Sequence, residues 1–304
     1  MILIIGIPSE SPVERLCDTC KAEQIPYLLL DQRRQDRWSI LPDRWDADNS
    51  TISDGDWTCR LKDFSGIYLR TMDHRLVPGY ECRVNKQQID EQYLRLIGLL
   101  DMATAPRIAN RPSPMMSNNS KPYQAQIIRQ SGLDIPDTLI TNDSREALDF
   151  ISSYDTVIYK SISGTRSIVK KTDAESLKAI DRIRFCPVQF QECIQGTNVR
   201  VHVIGTTAIA TGIESDATDY RYAHPGEKTA LLTPFMLSRD LYTQCITLSR
   251  SLNLPFSGID LMITREGRVV CFEVNSCPGY SYFESGAGQP ISKALAEYLS
   301  PSYL

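Results

Sequence analysis

Residues that bind zinc or activate a nucleophile are scarce in this sequence. Three histidines are present, and because none belongs to an HExxH motif, we do not expect zinc-dependent hydrolysis. The sequence also lacks a GxSxG motif and a convincing Ser–His–Asp set. Cys277 precedes a Pro-Gly turn, but a nucleophilic thiol needs an activating base and none can be located, so we do not expect covalent catalysis there.

Long hydrophobic segments are also missing. The N-terminal MILIIGIP contains a short apolar run without a basic flank, which is too short for a signal-peptide core or a membrane span. No other apolar run approaches transmembrane length. We therefore interpret residues 2–7 as a buried strand and expect a cytoplasmic protein without a membrane partner.

Excess positive charge is absent as well. The 33 basic and 37 acidic residues give a net charge of −4, which provides no electrostatic case for a nucleic-acid partner. The nine cysteines are an odd number without repeated spacing, so we expect free thiols in a reducing compartment. Cys17 and Cys20 form a CxxC in a predicted helix; a metal or redox role stays open, although no second CxxC accompanies it.

The composition is that of a globular protein with a substantial core. Hydrophobic residues make up 42% of the 304 positions, and this length predicts two domains or one large domain with lobes. A β-α-β order at the start predicts a parallel sheet and the α/β class, whereas residues 31–56 lack a clear period and are expected to form a loop or excursion. The predicted elements of this first part are strands 2–7, 26–30, 66–70 and 107–112 and helices 10–23 and 84–102.

The turn-rich PSPMMSNNS at 112–120 predicts the first domain boundary. Ser120 is predicted to cap a helix ending near Gly132, and Ser144 to cap another. Residues 214–230 are polar and aperiodic, and loops of this length in compact domains are often functional. The other predicted elements are strands 137–142, 157–162 and 188–194, a hairpin over 198–213, and helices 238–252 and 290–299.

The strand within CFEVNSCPG (271–279) carries Glu273 and Asn275 among apolar residues. Residues two apart share a face of a strand, so these two side chains project together, with Cys271 predicted on their side and Val274 on the other. A carboxylate beside a mostly apolar sheet is costly unless it is paired or binds a metal.

A second carboxylate is predicted nearby, from the strand SGIDLMI (257–263). If TREG closes a hairpin and Ile263 pairs with Arg268, Asp260 lies opposite Cys271 and diagonal to Glu273, about 7–8 Å away at Cα. Two carboxylates and an amide oxygen form a hard ligand set suited to Mg²⁺ or Mn²⁺. The alternative is a surface hairpin whose acidic residues are solvated.

Several basic residues occupy positions in predicted strands and loops where they can bind an anion. Lys160 ends a strand beside the glycine turn SGTRS, where a lysine can neutralise phosphate, although GxxxxGK[ST] and GxGxxG are both absent. In NVRVHV, Asn198 and Arg200 share one face with His202, and the guanidinium can hold a phosphate or carboxylate; the alternative is a solvated outer face. Arg221 and Lys228 lie in the long loop and can close over an anion, or simply face solvent.

The order of these motifs resembles the ATP-grasp superfamily, and within it the RimK-like carboxylate–amine ligases. The resemblance runs from about Asn119 to Leu299, and its specific part is GIDLMI followed by FEVNSCPG. The other segments that carry it are NSKPYQ, VIYKSISGTRSI, VQFQECI, NVRVHVIG and DYRYA. It implies an ATP-grasp fold in three parts: a pre-ATP-grasp α/β domain at 1–111, a small lobe or lid at 112–186, and a central lobe with the metal site at 187–304.

The resemblance also implies roles for individual residues. Asp260, Glu273 and Asn275 correspond to the metal ligands, which implies ATP with two Mg²⁺ or Mn²⁺ ions. The implied nucleotide-binding residues are Lys121 and Lys160 at the phosphates, Glu192 and Cys193 at the adenine, Asn198 where the family usually has Asp, and Arg221 in the long loop. Arg200 corresponds to an arginine near the transferred phosphate and acyl group, and together with Lys160 is the implied catalytic pair.

The implied activity is a ligase that activates a carboxylate as an acyl phosphate and joins it to an amine. Three alternatives stay open: a ligase that cross-links a precursor peptide, a small-molecule kinase on the same fold, and a nucleotide-binding regulator without turnover. The acid and amine are expected to be small molecules or peptides, selected by loops at 71–84, 214–232 and 280–289. Homo-oligomers are expected by analogy. The loop after Lys160 lacks a second glycine usual in the family, and Cys277 stands where relatives often have Ser.

Overall fold

A computed structural model of the chain describes residues 1–162, 169–214 and 230–301. The N-terminal elements are β1 Ile2–Gly6, α1 Ser11–Ala22, β2 Tyr27–Asp31, β3 Ser39–Leu41, β4 Thr51–Ser53, β5 Thr58–Arg60, β6 Gly66–Arg70, α2 Lys86–Met102 and β7 Arg107–Ala109. The following elements are α3 Pro112–Met115, α4 Lys121–Gln130, β8 Thr138–Thr141, α5 Ser144–Ser152, β9 Val157–Ser161, β10 Lys170–Lys171, α6 Ala174–Lys178 and β11 Val188–Glu192. The last elements are β12 Thr197–Ile204, β13 Thr207–Glu214, β14 Leu231–Phe235, α7 Arg239–Ser251, β15 Phe256–Ile263, β16 Val269–Asn275, α8 Ser281–Ala287 and α9 Ile291–Leu299.

The N-terminal sheet is parallel, as the β-α-β order predicts, with strands in the order β2-β1-β6-β7. Alternate residues of β1 face opposite sides: Ile2 and Ile4 pack in a core with α1 and α9, whereas Leu3 and Ile5 pack in a second core with α2. Because every residue of β1 is buried, the strand is as continuously apolar as a covered parallel strand requires.

The segment 31–56 is more ordered than its sequence predicts. β4 pairs with β3 and with β5 in a three-stranded antiparallel sheet, and Ile40 and Ile52 are buried in the same core as α2. Of the two expectations for this segment, a loop was wrong, whereas an excursion from the parallel sheet agrees with the separate sheet. Strands of three residues are too short to display a period.

A separate antiparallel sheet follows, whose described strands have the order β10-β9-β11-β8. Val157 and Phe190 lie in its core with Ala147 from α5. The cap of α5 is Asp143, whose carboxylate accepts from the amides of Arg145 and Glu146, and not Ser144 as expected.

The central sheet is antiparallel, and its described strands follow the order β14-β13-β12-β15-β16. Val199, Val201 and Val203 of β12 face a core shared with α7. The opposite face of the sheet packs against α8 and α9 at one end through Phe256 and carries the candidate site at the other. Residues 280–289, expected to form a loop, contain the helix α8.

Within the described ranges, no helix combines the length and hydrophobicity that a membrane span requires. The nine cysteines all fall in these ranges and are free thiols, which confirms that prediction.

Candidate active site

The β15–β16 hairpin brings the two predicted carboxylates directly opposite each other. Ile263 pairs with Val269, not with Arg268, and a bulge then shifts the register so that Asp260 pairs with Glu273. The predicted register, with Asp260 opposite Cys271, was therefore wrong. Phe272 is the extra residue of the bulge, and such an insertion re-aims the side chains that follow it.

The same bulge moves Cys271 to the other side of the strand. Its side chain was expected beside Glu273, but it is buried in the core shared with α7, together with Val274. In a strand without a bulge, Cys271 and Val274, which are three residues apart, would lie on opposite faces. Strict alternation holds for Glu273 and Asn275, which lie beyond the bulge.

Asn275 joins the two carboxylates. Its side-chain amide donates to Asp260 Oδ2 at 3.0 Å and to Glu273 Oε1 at 3.3 Å. The described residues contain no group of three His, Cys, Asp or Glu side chains placed around one point, so a cation here would rely on two carboxylates and this amide. That donor set fits Mg²⁺, which completes its shell with water and substrate phosphates. Offering the amide oxygen to an ion requires a half-turn of the Asn275 amide.

Two cations contact the carboxylates from different elements. Lys121, the first residue of α4, lies with Nζ 2.5 Å from Glu273 Oε2. Arg200 of β12 lies with Nη1 2.5 Å from Asp260 Oδ1. The structure thus brings together five residues that the sequence assigned to metal, phosphate and acyl-group binding.

The polar face of β12 is covered. Arg200 is 6% exposed and His202 is 0% exposed, so the alternative of a solvated outer face is wrong. β12 lies between β13 and β15, and Phe283 of α8 packs over its polar residues. Burial in these surroundings lowers the pKa of His202 well below its usual value, and the charge of Arg200 lowers it further. His202 is therefore neutral at pH 7.

Gln124 holds α4, the helix that carries Lys121, against β16. The sequence analysis did not identify Gln124. Its side chain donates to the Val274 carbonyl at 2.8 Å and accepts from the Val274 amide at 2.9 Å. Gln124 is buried, one helical turn beyond Lys121. The signal was available in KPYQ: a polar side chain three residues after a functional lysine shares its face of the helix.

Asn110 and Arg70, both from the first 111 residues, hold the ends of the site strands and were also missed. Asn110 is buried, accepts from the Phe256 amide and donates to the Ser276 carbonyl. Arg70 donates to the Pro278 carbonyl at 3.1 Å and to Glu10 at 2.7 Å.

Cys277, next to these contacts, is a partly buried thiol. Burial raises its pKa, although the neighbouring Arg70 opposes the shift. The thiolate, which is the nucleophilic form, is therefore disfavoured at neutral pH.

Two of the remaining predicted residues, Lys160 and Glu192, lie on the β10-β9-β11-β8 sheet. Lys160 is near the end of β9 opposite Gln189, and residues 163–168 after it lie outside the described ranges, as do Arg221 and Lys228. The Glu192 carboxylate accepts from Arg268 at 3.2 Å and from the Asp137 amide at 3.0 Å. These contacts connect the β10-β9-β11-β8 sheet to the tip of the β15–β16 hairpin.

Two further predicted residues lie near the connection between β11 and β12. Cys193 follows β11, and its amide donates to the Thr156 carbonyl at 3.0 Å. Asn198 lies at the start of β12, opposite Ile213 on one side and Met262 on the other. Neither is on the elements that carry the two carboxylates.

In this α/β protein, two carboxylates and an amide of the central sheet lie beside two cations, an arrangement that suits a divalent metal and a phosphorylated ligand. The chain belongs to the RimK-like ATP-grasp family: residues 118–299 match the model of the RimK-like ATP-grasp domain. This confirms the resemblance on which the predicted site residues depend.

The relatives and solved structures agree on the family and fold. A probable alpha-L-glutamate ligase of Pasteurella multocida is 24% identical over 257 residues, which cover 79% of this chain and 80% of that protein. A probable alpha-L-glutamate ligase of Coxiella burnetii is 28% identical over 187 residues, but the match spans only 60% of its length.

Three solved structures share the fold over nearly the whole chain. The macrocyclase MdnC of Microcystis aeruginosa, bound with the precursor peptide MdnA, has a TM-score of 0.79 at 22% identity, covering 99% of this chain and 100% of that one. The ATP-grasp ligase PsnB, complexed with minimal precursor, Mg and ADP, has a TM-score of 0.81 at 23% identity, covering 100% and 97%. The D-alanyl-alanine synthetase A of Vibrio cholerae reaches 0.66 at 12% identity, covering 99% and 98%. The fold is therefore ATP-grasp, and the family supports ATP-dependent carboxylate–amine ligation.

Proposed function

We propose that this chain is an ATP- and Mg²⁺-dependent ligase that joins a carboxylate and an amine within a precursor peptide. The observation that carries the ligase assignment is the convergence of Asp260, Glu273 and Asn275 with Lys121 and Arg200. Two carboxylates that hold a cation, next to two positive side chains, suit the β- and γ-phosphates of ATP.

The proposed reaction has two steps. A peptide carboxylate attacks the γ-phosphorus of ATP, which forms an acyl phosphate and releases ADP. An amine then attacks the acyl carbon, the C–O bond to phosphate breaks, and inorganic phosphate leaves as the nitrogen loses a proton to solvent. Bound Mg²⁺ supplies charge that offsets the phosphates during transfer.

The protein's own groups then act by position and charge. Arg200, fixed beside Asp260, is aimed at the transferred phosphate and acyl oxygen, where developing negative charge is stabilised by a preorganised guanidinium. Lys121 and Lys160 bind phosphate oxygens. Glu192 and Cys193, at the link between the lobes, bind the adenine largely through their backbone.

The rest of the proposed nucleotide site completes this arrangement. Asn198, at the start of β12, contacts the nucleotide without a charge, and Arg221 closes over the phosphates from the long loop. We also propose the three-part organisation with its first boundary at 111/112. The pairing of β11 with β8 and β9 supports a second boundary after Glu192 in place of 186/187.

The comparison with solved structures supports a peptide as the substrate. All three structures match 99–100% of this chain, but the peptide-bound MdnC and PsnB do so with TM-scores of 0.79–0.81, against 0.66 for the D-alanyl-alanine synthetase A. The match therefore includes the N-terminal part, whose Arg70 and Asn110 brace the site strands. Addition of free glutamate to a peptide or protein is the second candidate, favoured by the names of the sequence relatives.

The experiment measures ADP release with Mg²⁺ against free amino acids, dipeptides, and synthetic peptides that carry Asp or Glu together with Lys. Product masses are determined in parallel. We expect a peptide product lighter by one water, whereas glutamate addition gives a heavier product. A phosphorylated product without an amide, or ATP binding without any ADP release, contradicts the ligase proposal.

Matched variants connect the activity to the site. Glu273→Gln keeps the shape of the side chain but removes its charge, and we expect it to abolish peptide-dependent ADP release. Glu175→Gln, on the exposed surface of α6, is the control and is expected to leave the rate unchanged. Full activity in Glu273→Gln contradicts the metal assignment.

Location and assembly belong to the same proposal. A substrate ATP and nine unpaired thiols favour the cytoplasm. Light scattering of the purified chain distinguishes the proposed homo-oligomer from a monomer.

A further inference from the structure

The Arg200 guanidinium lies flat against a position without a side chain. A Cβ added to Gly258 of β15 would lie 2.6 Å from Arg200 Cζ and 2.7 Å from Nε, and it would also meet Nη2. Real Cβ atoms essentially never approach other atoms within 3.0 Å, so an alanine here must displace the guanidinium. The guanidinium occupies the space that any side chain at position 258 would fill.

Backbone conformation does not explain this glycine. Gly258 has no left-handed φ, and it pairs regularly with His202 on one side and Asn275 on the other. Glycine in a strand interior weakens the strand and marks sites where another group approaches closely. Here the approaching group is Arg200.

Phe283 restrains the guanidinium from another direction. Its ring centroid lies 5.6 Å from Arg200 Cζ, within the range of a cation–π interaction, and 5.1 Å from the ring of His202. Phe283 is buried on α8. That helix is anchored at two points: the hydroxyl of Tyr280, just before it, donates to the Pro12 carbonyl at 2.5 Å, and Glu284, at its middle, accepts from Ser292 at 2.6 and 2.7 Å.

We infer that Gly258 and Phe283 are positioning residues that hold Arg200 aimed at the transferred phosphate. With Asp260 at one end of the guanidinium, the group is held by a glycine, a phenyl ring and a carboxylate. An arginine so restrained needs little reorganisation when charge develops, which is the condition for electrostatic catalysis. This inference rests on the proposed role of Arg200.

The first test is Gly258→Ala. We expect kcat to fall about 10- to 100-fold, because a displacement of about 1 Å in a positioning group can cost that much, while KM for ATP changes little. Gly98→Ala is the control, since an added Cβ on α2 meets nothing within 4 Å. Thermal unfolding of each variant shows that the comparison is between folded proteins.

A double-mutant cycle shows whether Gly258 acts through Arg200. In an Arg200→Ala background, measured by single turnover, Gly258→Ala is expected to cause no additional loss. A further tenfold loss in that background, or an unchanged kcat for the single variant, overturns the inference. If Arg200→Ala itself retains full activity, the proposed role of Arg200 fails; if it is inactive while Gly258→Ala is fully active, only the positioning inference fails.

A second variant, Phe283→Leu, tests the inference even if Gly258→Ala does not fold. An NMR measurement tests it without relying on turnover. Phe283→Leu removes the ring face but keeps apolar volume, and we expect an approximately 3- to 30-fold loss in kcat. NMR of the Arg200 Nε–H group, assigned by its disappearance in Arg200→Ala, is expected to show a ring-current shift that Phe283→Leu removes and Gly258→Ala changes. An Nε–H resonance identical in wild type and both variants overturns the inference.

Discussion

At the scale of single residues, Lys121 is placed to pair either with the Glu273 carboxylate or with a phosphate of the proposed ATP. It is held 2.5 Å from Glu273 and sits at the start of α4, where it can exchange that carboxylate for a phosphate oxygen. We predict that Lys121→Met lowers kcat/KM for ATP by about 10- to 100-fold, because a hydrogen bond to a charged group contributes about 1.5–3 kcal/mol.

The control for this prediction is Lys62→Met, an exposed lysine of the N-terminal part. It is measured in the same steady-state ATP titration and is expected to match the wild type. Equal losses in both variants indicate a general effect of removing positive charge and contradict a specific role of Lys121.

His202 makes the stability of the fold depend on pH. Its pKa in the folded protein is lowered by burial, so below about pH 6.5, the usual value in unfolded chains, the unfolded state binds a proton that the folded state does not. Stability is then lost as the pH falls, by up to about 1.4 kcal/mol per pH unit.

Urea unfolding at pH 7.5, 6.5 and 5.5 checks this dependence. His202→Phe removes the titrating group, and we expect it to flatten the change between pH 6.5 and 5.5 relative to wild type. If the free energy of unfolding changes equally with pH in the wild type and the variant, other groups dominate the acid sensitivity.

The candidate site also shows what single residues reveal in a sequence. The pair Glu273 and Asn275 was predictable, because two polar side chains at strand spacing are conspicuous among apolar neighbours. The bulge at Phe272 was not predictable, since an inserted residue leaves no local signature and depends on how two strands pair. The burial of Arg200 was likewise decided by α8, which approaches from elsewhere in the chain.

At the scale of elements, α4 and β16 act as one unit because Gln124 pairs with both backbone groups of Val274. We predict that Gln124→Leu, which keeps the volume but removes both hydrogen bonds, destabilises the protein by about 2–4 kcal/mol, since two buried groups lose their partner. KM for ATP is expected to rise as well, because Lys121 loses its support.

Chemical unfolding and ATP titration of the same preparation test this prediction. Gln130→Leu, at the exposed end of the same helix, is the control and is expected to change neither quantity. A destabilised Gln124→Leu protein with unchanged KM for ATP refutes the link between helix docking and nucleotide binding.

Elements differ in how well the sequence reveals them. α2 and α7 were predicted within two residues of their observed bounds, because their apolar residues recur at helical spacing over three or more turns. β3, β4 and β5 were missed because three residues cannot show a period, and α8 was missed because its seven residues include Gly286. Long elements carry their own signal, whereas short ones are stabilised by their neighbours.

At the scale of the molecule, one core crosses the proposed domain boundary. Ile2 and Leu16 from the N-terminal part pack in the same cluster as Phe256, Tyr280 and Leu295. Because a shared core couples the parts it joins, we predict that the N-terminal domain and the central lobe unfold in one cooperative transition.

The three tryptophans make this testable, since Trp38, Trp45 and Trp57 all lie in the N-terminal part. Their fluorescence and the far-UV circular dichroism are expected to change together. Leu295→Ala on α9 should shift the fluorescence transition by about 2–5 kcal/mol although the substitution is distant in sequence.

Val157→Ala, in the separate core of the small lobe, provides the comparison. We expect it to leave the tryptophan transition nearly unchanged. A fluorescence transition unaffected by Leu295→Ala shows that the two parts unfold independently.

The contacts along β16 also protect the protein against self-association. β16 is the outermost strand at one end of the central sheet, and an open strand edge is a template for pairing with another chain. Here the Cys271 amide donates to the Asp134 carbonyl at 2.8 Å, and Gln124 covers both backbone groups of Val274. The side chain that supports the lysine proposed to bind ATP therefore also blocks a route to aggregation, so we expect damage to this edge to cost solubility as well as activity.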